Sequence, residues 1–130
     1  MTSSFADSPT AIAKRLFAAI EAGDIAAVEE LYAPTIVIWH NYDGVEQSLS
    51  ENLRTLRWLT RNVTDLRYEE IRVLETPGGF VQQHVLRATG PGGVRLEIPA
   101  CMVGTVNDGQ ITRIDEYLDS AHVRRLMARS

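Results

Sequence analysis

Between Ser8 and Ala22 the apolar positions Ile12, Leu16 and Ile20 recur every four residues, with Phe17 beside them. That spacing gives one apolar face of a helix. Ser8 followed by Pro9 supplies an N-cap and a first helical residue. Gly23 ends this helix, and Asp24 caps a shorter one in which Ile25, Val28 and Leu31 point inward and which Pro34 stops. Ile36 to Trp39 reads as a buried strand, and the segment from Asn41 to Gln47 as a loop. Ser48-Leu49-Ser50-Glu51 has capping-box spacing and opens a third helix, which carries Leu49, Leu53, Leu56 and Leu59 to about residue 61. The period then changes from helical to extended. Strands are expected at 65–76, 80–89, 94–106 and 111–118, separated by Pro77-Gly78-Gly79, Gly90-Pro91-Gly92-Gly93 and Asn107-Asp108-Gly109. Such punctuation signals hairpins. Asp119-Ser120 caps a last short helix bearing Val123, Leu126 and Met127.

Helices segregated from an antiparallel meander define an α+β domain. The expected architecture is a cone: a curved, mixed or antiparallel sheet wrapped around three N-terminal helices, with a short C-terminal helix, in a single domain over residues 1–130. A meander curling around a long helix leaves a pocket inside. Pro99 interrupts the longest strand, and because proline cannot donate to a ladder, a bulge or an edge is expected there.

Composition narrows the function classes. The net charge is −4 and the Lys and Arg residues are scattered, which argues against a nucleic-acid surface. No apolar run approaches the length of a membrane span. The single cysteine, Cys101, excludes an intramolecular disulfide and fits a reducing cytoplasm. The stretch MTSSFADSP lacks the basic and apolar regions of a signal peptide. The histidines at 40, 84 and 122 show no short metal-ligand spacing, and no Gly-rich loop links a strand to a helix, so neither a metal nor another cofactor is expected.

The candidate chemistry centres on IVIWHNYDG, Ile36 to Gly44, where the apolar run turns polar at Trp39, His40 and Asn41. His40 reads either as a general acid or base or as a strand-end histidine bonded to a loop carbonyl. Glu116 shares its face with Thr112, Ile114 and Leu118, and a carboxylate among apolar neighbours needs a partner. It reads as an acid–base partner of a histidine or as an ion pair with Arg113 or Arg95. His84 alternates with Phe80, Gln82 and Leu86 against Val81, Gln83, Val85 and Arg87. Both faces carry polar residues, so alternation leaves the pocket-lining face open. Asp119 reads as a helix cap, Glu97 as an exposed cross-strand ion-pair partner and His122 as a surface residue.

The stretches AAIEAGDIAAVEELYAP and NDGQITRIDEYLD, in this order of elements, resemble the nuclear transport factor 2-like superfamily over nearly all of residues 8–128. Within it the chain is most similar to SnoaL-like polyketide cyclases, ketosteroid isomerases and limonene-epoxide hydrolases. The resemblance implies a homodimer packed through the outer face of the sheet, with Ile71 and Val73 as supporting positions. It also implies a pocket for a small, mostly apolar organic molecule. By position it places His40 where the isomerases hold their base, and Leu16 and Cys101 where they hold their oxyanion donors. It places Trp39, Asn41 and Glu116 where the epoxide hydrolases hold water-binding groups and a carboxylate. The expected site is therefore His40, Glu116 and His84 as catalytic groups, with Trp39, Asn41, Cys101, Leu16 and Trp58 touching substrate. The expected function is cofactor-free acid–base catalysis by an isomerase, cyclase, dehydratase or hydrolase. The alternative is a ligand-binding or dimerisation module without turnover.

Overall fold

The computed structural model describes residues 8–128, with side chains as far as Arg124. Leu126 and Met127, expected on the last helix, therefore have side chains outside the described ones. Helix α1 (Pro9–Ala22) begins where the Ser8 side chain accepts from the Ala11 N–H, and it ends at Gly23 in the left-handed conformation with φ 70°. Its inner stripe, Ile12, Ala13, Leu16, Phe17 and Ile20, is buried. Helix α2 (Ile25–Leu31) is capped by Asp24, whose carboxylate accepts from the Ala27 N–H at 3.1 Å. Helix α3 (Leu49–Asn62) carries the full capping box between Ser48 and Glu51.

Strand β1 (Tyr32–His40) starts earlier than the apolar run implies. Helix α2 ends at Leu31, so Pro34 does not stop it; Pro34 lies exposed inside β1. The pairing register slips between Tyr32 and Val37, which is how a strand tolerates a residue without an N–H. The expected 41–47 loop contains a two-residue strand, β2 (Glu46–Gln47), paired with Ile38 and Trp39. Then follow β3 (Thr64–Thr76), β4 (Gly79–Thr89), β5 (Arg95–Asn107), β6 (Gln110–Leu118) and α4 (Ser120–Ala128).

These strands form one curved, open sheet of six in the order β2-β1-β6-β5-β4-β3. All neighbours are antiparallel except β1 and β6, which run parallel. Helices α1 and α3 pack against the concave face, α1 on β3 and β4 and α3 on β1. The core between them includes Ile12, Leu16, Ile36, Ile38, Phe80 and Ile114. Two bulges bend β3, between Thr64 and Arg67 and between Glu69 and Arg72. Each contains a non-glycine residue with positive φ, Asp65 at 52° and Glu70 at 54°, and bulges of this kind increase local twist and curvature.

Two glycines let the sheet close over its core. A Cβ on Gly104 would stand 2.4 Å from the ring of Phe80, and one on Gly79 would stand 1.9 Å from the Gly104 carbonyl oxygen. Phe80 is fully buried because its ring lies over that bare backbone. Pro99 sits in an uninterrupted β4–β5 ladder opposite Val85. Pairing between β5 and β6 begins only at Ala100–Leu118, so the missing N–H falls past the end of β6. It is an edge position without a bulge.

Candidate active site

Alternation along β1 turns Ile36, Ile38 and His40 toward the core. The parallel register sets Ile38 beside Ile114 and His40 beside Glu116. His40 Nε2 then lies 3.1 Å from Glu116 Oε1, with side-chain exposures of 8% and 15%. Burying a carboxylate without a partner is costly, and the imidazole is the partner here. The alternative partner Arg113 engages Glu46 and Asp115 instead. Asn41 brackets the pair from outside. Its side chain donates to the Leu118 carbonyl at 3.1 Å and accepts from the Leu118 N–H at 2.8 Å, while its own N–H donates to the Glu116 carbonyl.

The charge of Glu116 reaches three tyrosines. The Tyr42 ring centroid lies 5.2 Å from that of His40, and its phenol is pushed up to about 12 by burial, with the charges of Asp43 and Glu116 adding to the effect. Burial first, and Glu116 second, also raise Tyr32 and Tyr68 above the usual phenol range. All three phenols therefore keep their protons at neutral pH and are donors. Tyr32 donates to Asn52 Oδ1 at 2.9 Å, Asn52 donates to Gln47 Oε1 at 2.9 Å, and Gln47 donates to Thr55 Oγ1 at 3.1 Å. This chain ties β1 to α3 through the short strand β2.

On β4, Phe80, Gln82, His84 and Leu86 are the buried set, so this is the concave face that alternation left open. Register carries one line across the sheet from Gln82 to Met102 on β5, to Glu116 on β6 and to His40 on β1. His84 lies one step along, with its Nδ1 3.0 Å from Gln82 Nε2 and its ring packed edge-on against Phe17 and Tyr68. Burial lowers its proton affinity, and the charge of Glu116 opposes that shift. A mostly apolar cavity of about 600 Å³ opens between α1 and β3, with Phe17, Tyr68, Val73 and Gln82 among its walls.

Other expected contacts fall elsewhere. Trp39 alternates to the convex face, where it meets Tyr117 edge-on at 5.2 Å. Cys101 also projects outward: Arg95, Glu97, Pro99 and Cys101 share one side of β5, and Leu96, Ile98, Ala100 and Met102 share the other. It lines a shallow outer groove with Gln83, Val85 and Tyr117. The interior position assigned to Cys101 by resemblance is taken by Ala100 and Met102. Asn41 is engaged in holding β1 to β6. Leu16 is fully buried in the core and Trp58 packs half-buried against it. The reading from sequence passed over Tyr42, Tyr68 and Gln82. The signal for Gln82 was present, since it alternates with Phe80 and Leu86.

Among the described residues, no three His, Cys, Asp or Glu side chains are grouped to hold a metal ion, and no helix is long and apolar enough to cross a membrane. Residues 13–114 match the SnoaL-like domain. The chain belongs to that family. Solved structures share the fold of this SnoaL-like protein. PrhC from Penicillium brasilianum superposes with a TM-score of 0.80 at 17% identity, over 92% of this chain and 85% of that one. IdmH from Streptomyces antibioticus, assigned provisionally to the polyketide cyclases, gives 0.78 at 19% identity, over 92% and 98%. A nuclear transport factor 2-like protein of unknown function from Burkholderia pseudomallei gives 0.79 at 18% identity, over 91% and 95%. No curated protein matches the sequence at a significant level.

The buried His84 makes a prediction about acid stability. Its folded-state proton affinity is lowered by burial, so below about pH 6.5 the unfolded chain binds a proton that the folded chain refuses. Stability from this source is present above that pH and is lost as pH falls toward the lowered folded value. In His84→Phe the fall in melting temperature from about pH 6.5 to about pH 5 should be shallower. Equal slopes in both proteins would remove His84 from the acid response.

Proposed function

We propose that this SnoaL-like protein is a cofactor-free acid–base enzyme that moves a proton next to a carbonyl group of a small, mostly apolar molecule, as an isomerase or cyclase does. The reading rests on the 3.1 Å contact between His40 and Glu116 inside the cone. His40 takes and returns the proton. Glu116 orients the imidazole through that contact. Proton removal beside a carbonyl builds negative charge on oxygen, and such charge is stabilised by donors already in place. Tyr42, Tyr68 and His84 feel the charge of Glu116, and burial keeps them neutral. A carboxylate–imidazole pair beside groups held neutral is the pattern that separates acid and base roles. The provisional assignment of IdmH to the polyketide cyclases supports the same class of reaction.

One observation favours binding without turnover. The cavity between α1 and β3 reaches Phe17, Tyr68 and Gln82, while His40 and Glu116 are not among its walls. Deuterium exchange separates the two readings. β-Dicarbonyl and aryl ketone compounds are incubated with the protein in heavy water, and label next to the carbonyl is read by mass spectrometry. The wild type should accelerate uptake, and His40→Ala should lose on the order of a hundredfold. Glu116→Gln should fall by a similar factor and the double variant no further, because groups acting as a unit are not additive. Exchange unaffected in His40→Ala would remove His40 from the mechanism.

We further propose a homodimer through the convex face. Tyr117, Val103 and Leu74 are exposed there, at 48%, 37% and 70%, and Trp39 flanks Tyr117. Val73, by contrast, lines the cavity beside α1. Tyr117→Arg should convert a dimer to a monomer in sedimentation velocity. A wild type that sediments as a monomer at high concentration would contradict the dimer.

A further inference from the structure

We infer that Gln82 is a positioning residue that fixes the tautomer of His84, so that the interior recognises a neutral oxygen acceptor on an apolar ligand entering between α1 and β3. The Gln82 amide nitrogen lies 3.0 Å from His84 Nδ1. An amide NH2 only donates, so Nδ1 accepts, and the one proton of the neutral ring sits on Nε2. That atom is buried and has no hydrogen-bonding partner among the described residues. A buried N–H without an acceptor is rare in folded proteins and marks a place where a partner is missing.

The ring is packed between two aromatic neighbours. Phe17, Tyr68 and His84 form a triangle with centroid distances of 4.7, 4.9 and 4.8 Å, all edge-on. The three residues that hold the imidazole, Phe17, Tyr68 and Gln82, are also walls of the cavity of about 600 Å³. His84 is not itself a wall: its Nε2 is buried, so an acceptor reaches it only by passing between Phe17, Tyr68 and Gln82. Glu21, at the same cavity, already accepts from the Tyr68 N–H at 2.6 Å.

The chemistry of the donor selects the ligand. A ketone, ester or other neutral acceptor completes the Nε2–H bond. An ammonium group, which only donates, would meet a donor, whereas a hydroxyl could accept through its oxygen. A carboxylate would be stripped of water beside apolar walls and would also feel the negative charge of Glu116, which reaches His84. The inference deepens the proposed enzymatic reading and rests on it for the fate of the bound carbonyl. Its test reads binding and tautomer, so failure here overturns this recognition site, whereas failure of deuterium exchange overturns the catalytic reading.

The test uses the whole protein and three probes of matched shape: the naphthyl ketone prodan, an alkylnaphthalene without the oxygen, and a naphthoate. Histidine nitrogen-15 NMR should show His84 as the Nε2–H form in the unliganded wild type. The ketone should bind about tenfold more tightly than the hydrocarbon, the scale of one net hydrogen bond, and the naphthoate should bind most weakly. Gln82→Met should leave the tautomer unfixed and shrink the ketone preference. His84→Phe, which removes the Nε2 donor, should abolish the preference. A wild-type His84 in the Nδ1–H form, or equal binding of ketone and hydrocarbon to the wild type, would overturn the inference without reliance on any variant. Retention of the ketone preference in a folded His84→Phe protein would overturn it as well.

Discussion

The parallel pairing of β1 with β6 is the constraint on which the interior depends. It joins the first strand of the chain to the last, and its register sets His40 beside Glu116. A slip of one residue would turn His40 to the convex face and Trp39 inward. Asn41 guards against that slip. It lies beyond the last paired residue of β1, and its side chain makes both a donor and an acceptor bond to the Leu118 backbone. The polar switch after Trp39 therefore marks two jobs in consecutive residues. His40 meets Glu116 on the inside, the contact on which the proposed chemistry rests, and Asn41 holds the strand that positions it.

Electrostatics organise what surrounds that pair. Glu116 raises the phenols of Tyr32, Tyr42 and Tyr68 and partly restores the proton affinity of His84. Its charge thus reaches side chains from β1, the following turn, β3 and β4. In a low-dielectric interior such influence is strong. Burial remains the larger cause in each case, so the groups around the carboxylate stay neutral. One carboxylate beside an imidazole, enclosed by neutral donors, suits a reaction that moves a proton and transiently places charge on oxygen.

Local rules made much of the fold legible. The Ser8 and Asp24 caps, the Ser48–Glu51 capping box and the hairpin turns all stand where their residue types put them. The SnoaL-like cone followed from their order. Side-chain direction was harder. In β1 both faces are apolar, so alternation could not separate Trp39 from His40. In β5 the information was there: Arg95 and Glu97 point outward, and Cys101 shares their parity. A positional resemblance overrode that parity and put Cys101 inside. The short strand β2 carries no periodic signal, because two residues have no period. Tyr42, Tyr68 and Gln82 come from the turn after β1, a bulged strand and a central strand, and only the tertiary fold brings them to the same interior.

The central claim is that His40 and Glu116 share a hydrogen bond inside the cone, with the imidazole ready to move a proton. Neutron diffraction from deuterated crystals at neutral pH tests it most directly. A deuterium atom should lie on the line between His40 Nε2 and Glu116 Oε1, with Glu116 turned toward the concave face. A Glu116 carboxylate turned outward, or no deuterium between the two atoms, would contradict the account.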